Sequence, residues 1–517
     1  MTYNVILFTD IPNPDHLTRG YGAYRLASEI RKHGYSVLTV DFSSIIDVET
    51  FTKIIEHSVG VDTICVGFST TWFPYNKPSV NKKYMLGPKS RMVDPKEDFD
   101  VNTQPWYFNS VTHKVSSGEL YIYRDIVKRV NNKCKIIIGG AKSNEYINEP
   151  ACDNVFIGYS ENQMIDYLHS LSGKGMKRIF NKVIDYDVKA TNGSFVFNNS
   201  PTVYVDSDLI MSEELMTIEF SRGCIFNCIF CSFPHRNSDT RDFVKYKEVI
   251  YNELMDNYNK WGIYKYTITD DTFNDHTEKL ILINEVIQSL PFKPIFSWAF
   301  ARLDLVSRNP EQAQLMKDIG VKEVYYGLET MNDSTAKVIR KGGKLEKKIE
   351  GMKIAKDCWG EDVMISVGIV VGLPKETIAS LNYAVEWYIS EGHKYIDNFK
   401  FTDLHIFPDD GYNQYKFLSD IESDPVKYGY SFPDSVNRPF DWELTDGEIT
   451  SKSLAIDLVS ECNTRTKPYS NRTTVKGEWN SSYKSYDISI NDGSSQAYYE
   501  YVSTYYLPRL LKFLNIQ

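Results

Sequence analysis

The sequence predicts an α/β protein in three parts. An N-terminal doubly wound parallel sheet precedes a (β/α)6 partial TIM barrel, and a C-terminal region is mostly helical or irregular. Three observations carry that expectation. Short, continuous apolar runs alternate with helical spacing over residues 1–170. Further strand–helix units follow within residues 211–411. The alternation then stops, and residues 412–517 are rich in tyrosine. Continuous apolar strands separated by helices are the pattern of a parallel sheet covered on both faces.

In the first part, strands are predicted at Asn4–Phe8, Ser36–Asp41, Thr63–Phe68, Lys135–Ile138 and Asn154–Ile157. Tyr21–His33 has helical spacing, with Tyr24, Leu26, Ala27 and Ile30 on its apolar face and Gly34 as its stop. Residues 73–117 are polar and aromatic without a clear period, and read as an insertion. Residues 171–210 carry Gly, Lys, Asn and Asp without pattern, and read as a linker. In the second part, strands are predicted at Met216–Phe220, Lys265–Thr269, Pro294–Trp298, Glu323–Leu328, Ile365–Val371 and Asn398–His405. Helical patterns fill the gaps, notably Lys245–Tyr258, Leu345–Cys358 and Glu376–Ile389. Such units build a partial or full parallel barrel, in which ligands sit at the carboxyl ends of the strands. A last helix is expected at Gln496–Leu514. The tyrosines of the C-terminal region are expected to pack on the barrel.

Composition narrows the classes. At 517 residues the chain is too long for one ordinary domain. With 42% hydrophobic and 24% charged residues it is globular rather than disordered or collagenous. The longest apolar run, Met364–Pro374, is too short to span a bilayer. The N-terminus lacks the basic n-region of a secretory signal, so the sequence predicts a cytoplasmic protein without a membrane partner. The net charge of −10 argues against a general nucleic-acid binder. Base stacking by the C-terminal tyrosines stays open but is not indicated.

The chain has 8 cysteines, of which Cys65, Cys134, Cys152, Cys358 and Cys462 are scattered. The other three stand in Ser221-Arg-Gly-Cys-Ile-Phe-Asn-Cys-Ile-Phe-Cys-Ser-Phe-Pro-His235, directly after a predicted strand. Cys224, Cys228 and Cys231 thus have C-x3-C-x2-C spacing in a loop at a strand's carboxyl end. Cysteine thiolates are the usual ligands of iron–sulfur clusters. Three of them on a four-iron cluster leave one iron open, as catalytic metal sites do. Two other readings are buried core thiols and a Cys3His zinc site completed by His235.

This segment resembles the radical S-adenosylmethionine (SAM) enzyme superfamily. The resemblance implies a 4Fe-4S cluster held by Cys224, Cys228 and Cys231, with SAM on the open iron. It implies reductive cleavage of SAM to methionine and a 5′-deoxyadenosyl radical, driven by an external flavodoxin- or ferredoxin-like reductant. Phe230 matches the aromatic position whose backbone packs on adenine. Thr267-Ile-Thr-Asp-Asp-Thr-Phe273 resembles the second-strand motif, placing Asp270 and Asp271 at the SAM amino group; Asp271 also suits a helix N-cap. Trp298-Ala-Phe-Ala-Arg-Leu-Asp304 resembles the third-strand signature, with Arg302 facing a carboxylate of SAM or Glu329, or serving a structural ion pair. Tyr325-Tyr-Gly-Leu-Glu-Thr330 offers Glu329 and Thr330 to the ribose or methionyl part. Arg340 is implied near the SAM carboxylate, and the Gly368–Pro374 stretch, with Gly372, beside adenine.

The preceding domain resembles the cobalamin-binding domain of one branch of that superfamily. Gly22–Gly34, Val37–Asp41, Val66-Gly-Phe-Ser69, Ile136-Ile-Ile-Gly-Gly140 and Ile157-Gly-Tyr-Ser-Glu161 carry the likeness in order. It implies that Gly139 and Gly140 hold the nucleotide tail and that Ser69 makes a polar contact. The D-x-H-x-x-G motif that supplies an imidazole to cobalt elsewhere is absent. If cobalamin binds, the implied reaction is methyl transfer to an unactivated carbon of a small-molecule or macromolecular substrate. The alternatives are cobalamin-independent radical chemistry and, in another class, an iron–sulfur or zinc protein for electron transfer or binding.

Overall fold

The computed structural model describes residues 2–10, 19–43, 46–70, 117–140, 143–185, 196–212, 214–233, 235–406, 418–433, 441–470 and 501–516. The predicted insertion lies outside the described residues, apart from Ser117 at its end. The chain divides into two compact units. One comprises Met1–Met216, Asp256–Ile263 and Asn480–Gln517, and the other Thr217–Met255 and Tyr264–Trp479.

The first unit is built on six strands: β1 (Val5–Phe8), β2 (Val37–Val40), β3 (Cys65–Ser69), β4 (Lys135–Gly139), β5 (Asn154–Phe156) and β6 (Val183–Ile184). Their order is β2-β1-β3-β4-β5-β6, and every pairing is parallel. Val5 sits beside Val37 on one side and Cys65 on the other. Helices Tyr21–Lys32 and Glu161–Ser172 cover one face, burying Ala27, Ile30, Met164 and Leu168 against Val5, Leu7 and Ile137. The other face carries helices Val48–Ser58 and Ser117–Val130, where Phe51 lies 4.3 Å from Phe8 and 4.4 Å from Tyr123, ring centre to ring centre. The sheet is therefore doubly wound, as its apolar strands require.

The stretch read as a linker holds the sixth strand and a packed return. β6 is only two residues long, too short to give a periodic signal. Beyond it, Asp208 pairs with Arg31 at 2.6 Å, and the Pro201 carbonyl accepts from Arg25 at 2.7 Å.

Residues 501–516 also belong to this unit. The Tyr506 hydroxyl accepts the Asp41 N–H at 2.9 Å, and the Tyr501 hydroxyl donates to Glu214 at 3.0 Å. Arg19, 1% exposed, grips Glu214 with two bonds of 2.7 Å and stacks on Phe42 and Tyr506. Of the C-terminal tyrosines, Tyr430 does pack on the barrel, donating to the Gly372 carbonyl at 2.6 Å, while Tyr501 and Tyr506 are engaged within the first unit. A buried guanidinium offers them a cationic partner that their own sequence does not reveal.

The second unit is the barrel. Its strands are β7 (Leu215–Ile218), β8 (Lys265–Ile268), β9 (Ile295–Phe296), β10 (Ala299–Phe300), β11 (Glu323–Glu329), β12 (Met364–Val371) and β13 (Asn398–Asp403). They form the ladders β7-β8-β9 and β10-β11-β12-β13. β9 and β10 are two halves of one strand. Phe296 N–H still bonds the Gly320 carbonyl, and Ala301 N–H the Tyr325 carbonyl, so the ladders join into one six-strand array. Helices Thr277–Ser289, Glu311–Ile319, Leu345–Trp359 and Ile378–Ser390 alternate with the strands. After β13, helix Lys452–Thr466 docks through Asn463, which exchanges two 2.9 Å hydrogen bonds with the Phe401 backbone. Among the described residues, no helix is long and apolar enough to cross a membrane.

Candidate functional site

The cysteine loop leaves the carboxyl end of β7 and folds back on itself. Cys224 N–H bonds the His235 carbonyl at 3.1 Å, and Ser238 N–H bonds the Cys224 carbonyl at 3.1 Å. Gly223 (φ +95°) permits this approach, because a Cβ there would stand 3.1 Å from His235. Ile229 is held from both sides, donating to the Ile339 carbonyl and accepting from Ile421 N–H. The Cys224 sulfur lies 3.2 Å from the Thr272 hydroxyl. Burial pushes the Cys224 thiol up, and the Cys231 thiol up to about 11. Such thiols need a metal to become thiolates.

Among the described residues, no three His, Cys, Asp or Glu side chains gather closely enough to hold one metal ion. His235 is buried, with its ring 5.7 Å from that of Phe243. A Cys3His zinc site needs four donors around one point, whereas a four-iron cluster of this type needs only the three cysteines. Three cysteines on a four-iron cluster bind separate irons and stand farther apart.

A buried polar network fixes the base of the loop. The Asp270 carboxylate accepts from Phe220 N–H (2.8 Å), Ser221 N–H (3.1 Å) and Ser221 Oγ (2.6 Å). Lys279 Nζ lies 3.5 Å from Asp270 and 2.7 Å from Asp275, and donates to Ser221 Oγ at 2.9 Å. Of the two aspartates expected at the SAM amino group, Asp270 has its oxygens engaged in anchoring the loop. Asp271 is different. One of its oxygens is buried with no hydrogen-bond partner. Burial, then the charges of Asp270 and Glu219, push this carboxyl up to about 7. A buried carboxylate oxygen without a donor is costly, and a cationic ligand group would complement it.

Four other expected contacts are engaged elsewhere. Arg302 binds Asp304 through Nε (2.9 Å) and Nη2 (2.7 Å), donates to the Lys341 carbonyl, and stacks 3.8 Å from the Phe226 ring centre. Its ion-pair partner is thus Asp304 rather than Glu329. Glu329 pairs with Lys341 at 3.2 Å and has φ +66°, beside a bulge in β11. Such backbone in a non-glycine residue tends to occur at ligand sites. Thr330 is buried and accepts the Asn332 N–H at 2.9 Å. Arg340 pairs with Asp420 at 2.7 Å, and the same Asp420 holds Arg236 of the cysteine loop at 2.6 Å. Gly372, expected beside adenine, has φ +99° and faces Trp442: a Cβ there would stand 2.5 Å from the indole. Phe230 is half-buried next to Cys231.

In the first unit, Ser69 ends β3 beside Gly139, which ends β4. The two glycines differ. Gly140 has φ +105°, and a Cβ would meet Thr70 Oγ1 at 2.8 Å, so local packing requires glycine. A Cβ on Gly139 would meet nothing closer than Phe156 at 4.0 Å. Room above a strand-end glycine suits a ligand's close approach. The strand order reverses between β1 and β3, the switch point where open α/β sheets bind ligands at their carboxyl edge.

The sequence reading missed Lys279, Phe226, Asp304, Lys341 and Asp420. The Asp-x3-Lys spacing of Asp275 and Lys279 and the Arg-x-Asp spacing of Arg302 and Asp304 were local signals; Phe226, Lys341 and Asp420 meet their partners through tertiary contacts.

Residues 218–388 match the family described as Radical SAM superfamily. The chain carries a radical SAM domain, a class that uses a 4Fe-4S cluster and SAM. A protein of Methanocaldococcus jannaschii, provisionally named a methylthiotransferase, is 27% identical over 49% of this chain and 57% of its own length. The chain thus spans little more than half of that relative. The radical SAM methyltransferase TsrM from Kitasatospora setae, solved with cobalamin and a [4Fe-4S] cluster, is 15% identical. It aligns over 83% of this chain and 79% of that one with a TM-score of 0.57. The cobalamin-dependent SAM radical enzyme OxsB, in its apo form, is 14% identical over 99% of this chain and 79% of that one, with a TM-score of 0.58. At this identity the two likenesses speak to the fold alone, an α/β chain of this architecture.

Proposed function

We propose that this chain is a radical SAM enzyme that cleaves SAM reductively at a 4Fe-4S cluster and uses cobalamin to methylate an unactivated carbon. The observation that carries the reading is the cysteine loop. Three cysteines stand at the carboxyl end of the first barrel strand, close to Asp271 with its unmatched carboxylate oxygen. Cys224, Cys228 and Cys231 would hold the cluster, and Asp271 would accept from the SAM ammonium group. Gly139 and Ser69 would lie against cobalamin on the carboxyl edge of the first unit's sheet. When bound, these groups supply one electron for sulfonium cleavage and a methyl group for transfer. The chain's own part is to hold the loop rigid through Asp270 and Lys279, and to place the thiols at partly buried positions, with Cys228 the most buried. A flavodoxin- or ferredoxin-like protein is the expected electron donor.

The test is anaerobic reconstitution. About four irons and four sulfides per chain are expected, as a cluster of this type requires, with 5′-deoxyadenosine formed on adding SAM and reductant. Alanine at Cys224, Cys228 or Cys231 should abolish both. Stoichiometric zinc without sulfide in anaerobically purified protein would overturn the reading. Protein made with abundant cobalamin should carry cobalt; if it cleaves SAM without cobalt, the methyl-transfer part falls.

A further inference from the structure

We infer that Arg302 is an electrostatic partner of the cysteine-bound cluster, positioned to donate through its Nη1 toward the ligands around Cys228 and to ease the cluster's reduction. The inference rests on the reading of Cys224, Cys228 and Cys231 as cluster ligands.

Arg302 is 5% exposed. Asp304 takes Nε and Nη2, and the Lys341 carbonyl takes Nη2 as well. Nη1 is buried without a hydrogen-bond partner. The guanidinium carbon stands 3.8 Å from the ring centre of Phe226, which lies between Cys224 and Cys228 in the chain. Cys228 is near enough to act on Arg302 electrostatically, and its sulfur lies 3.9 Å from the Arg340 carbonyl. A cationic fork is thus clamped against the loop with one arm unsatisfied.

Arg302, Lys341 and Lys348 are buried together with Asp304 and Glu329. Among these buried groups three cations meet two carboxylates, and the exposed Asp333 also acts on Lys348. An unsatisfied buried donor costs stability. A group of negative sulfurs beside Cys228 would satisfy it. Positive charge and hydrogen bonds to sulfur raise the reduction potential of such clusters.

The rival occupant of Nη1 is the SAM carboxylate, and one experiment separates them. Full-length wild-type, Arg302→Gln and Arg302→Lys proteins are reconstituted, assayed for iron and sulfide, and titrated by EPR at set potentials without SAM. Arg302→Gln should keep its iron. At fixed potential its reduced-to-oxidised ratio should fall about tenfold, a shift of about 59 mV for a one-electron couple. Arg302→Lys should recover part of that shift. If the midpoint of Arg302→Gln is unchanged and only SAM affinity falls, the inference is overturned. Should Arg302→Gln hold no iron, Asp304→Asn decides: removing the acid that shares the fork should move the midpoint upward, and an unmoved midpoint overturns the inference. Wild-type protein that takes up no iron and sulfide overturns the parent reading first, and this one with it.

Discussion

Lys279 and Asp275, one helical turn apart, form a buried ion pair at 2.7 Å beneath the cysteine loop, with side-chain exposures of 1% and 0%. The pair joins both roots of the loop. Lys279 donates to Ser221 at its start, and Asp275 accepts from Thr240 at its end at 2.5 Å. Replacing Lys279 by Met should leave Asp270 and Asp275 buried without their cation. Breaking a buried pair in this way costs about 3–5 kcal/mol. Urea denaturation should show a loss of that size, and the reconstituted variant should hold less iron. An unchanged midpoint and full iron content would mean that the loop does not depend on this network.

Asp270 and Asp271 are neighbours with separate duties. Asp270→Asn should lower stability and cluster uptake, because the Ser221 hydroxyl and Lys279 lose a charged partner. Asp271→Asn should leave folding intact and weaken SAM binding. A charge-assisted contact is worth about 1.5–3 kcal/mol, roughly ten- to hundred-fold in affinity. Equilibrium binding on the reconstituted proteins tells the two apart.

The same contact predicts a pH dependence. The Asp271 carboxyl is pushed up to about 7, chiefly by burial. Only the ionised form attracts an ammonium group, so SAM affinity should fall as pH drops through about 7 and level off above it. The sign for folding is opposite. A carboxyl whose folded value lies above its ordinary 3.8 binds its proton more tightly when folded. Its contribution to stability is therefore present at low pH and lost as pH rises from about 4 to about 7. Asp271→Asn should flatten both profiles. A SAM affinity independent of pH between 6 and 8, measured by titration, would remove Asp271 from the site.

The glycines at the end of β4 should respond differently to substitution. Gly140→Ala meets Thr70 and a left-handed backbone, and should destabilise the first unit by about 1–3 kcal/mol. Gly139→Ala has room and should be nearly neutral in a thermal melt. Gly139→Leu would fill the space offered to cobalamin, so cobalt content should fall while iron content stays unchanged. Equal cobalt in wild type and Gly139→Leu would place the cofactor elsewhere.

Arg19 and the C-terminal tyrosines form the other buried network. Arg19→Met leaves Glu214 buried without its cation and should cost about 3–5 kcal/mol. Tyr506→Phe removes a single hydrogen bond to the Asp41 N–H and should cost about 1 kcal/mol. Denaturation curves followed through the first unit should rank the two variants in that order.

The sequence by itself determined the two α/β parts and the cysteine loop. Strands buried on both faces are continuous apolar runs, helices repeat every three to four residues, and C-x3-C-x2-C lies within one loop. Each is a local pattern, readable without knowing what packs against it. β6 was not legible, because two residues carry no period. Tertiary structure alone decided which polar groups are already engaged. Asp270 and Asp271 are adjacent in sequence, yet one is saturated by Ser221 and Lys279 while the other keeps an unmatched oxygen. Arg302 is drawn to Phe226, and Arg340 to Asp420, 80 residues away in the chain. Tyr506 reaches Asp41 across 465 residues. A carboxylate or guanidinium is satisfied by whatever the fold brings within about 3 Å, and chain connectivity carries no record of that distance.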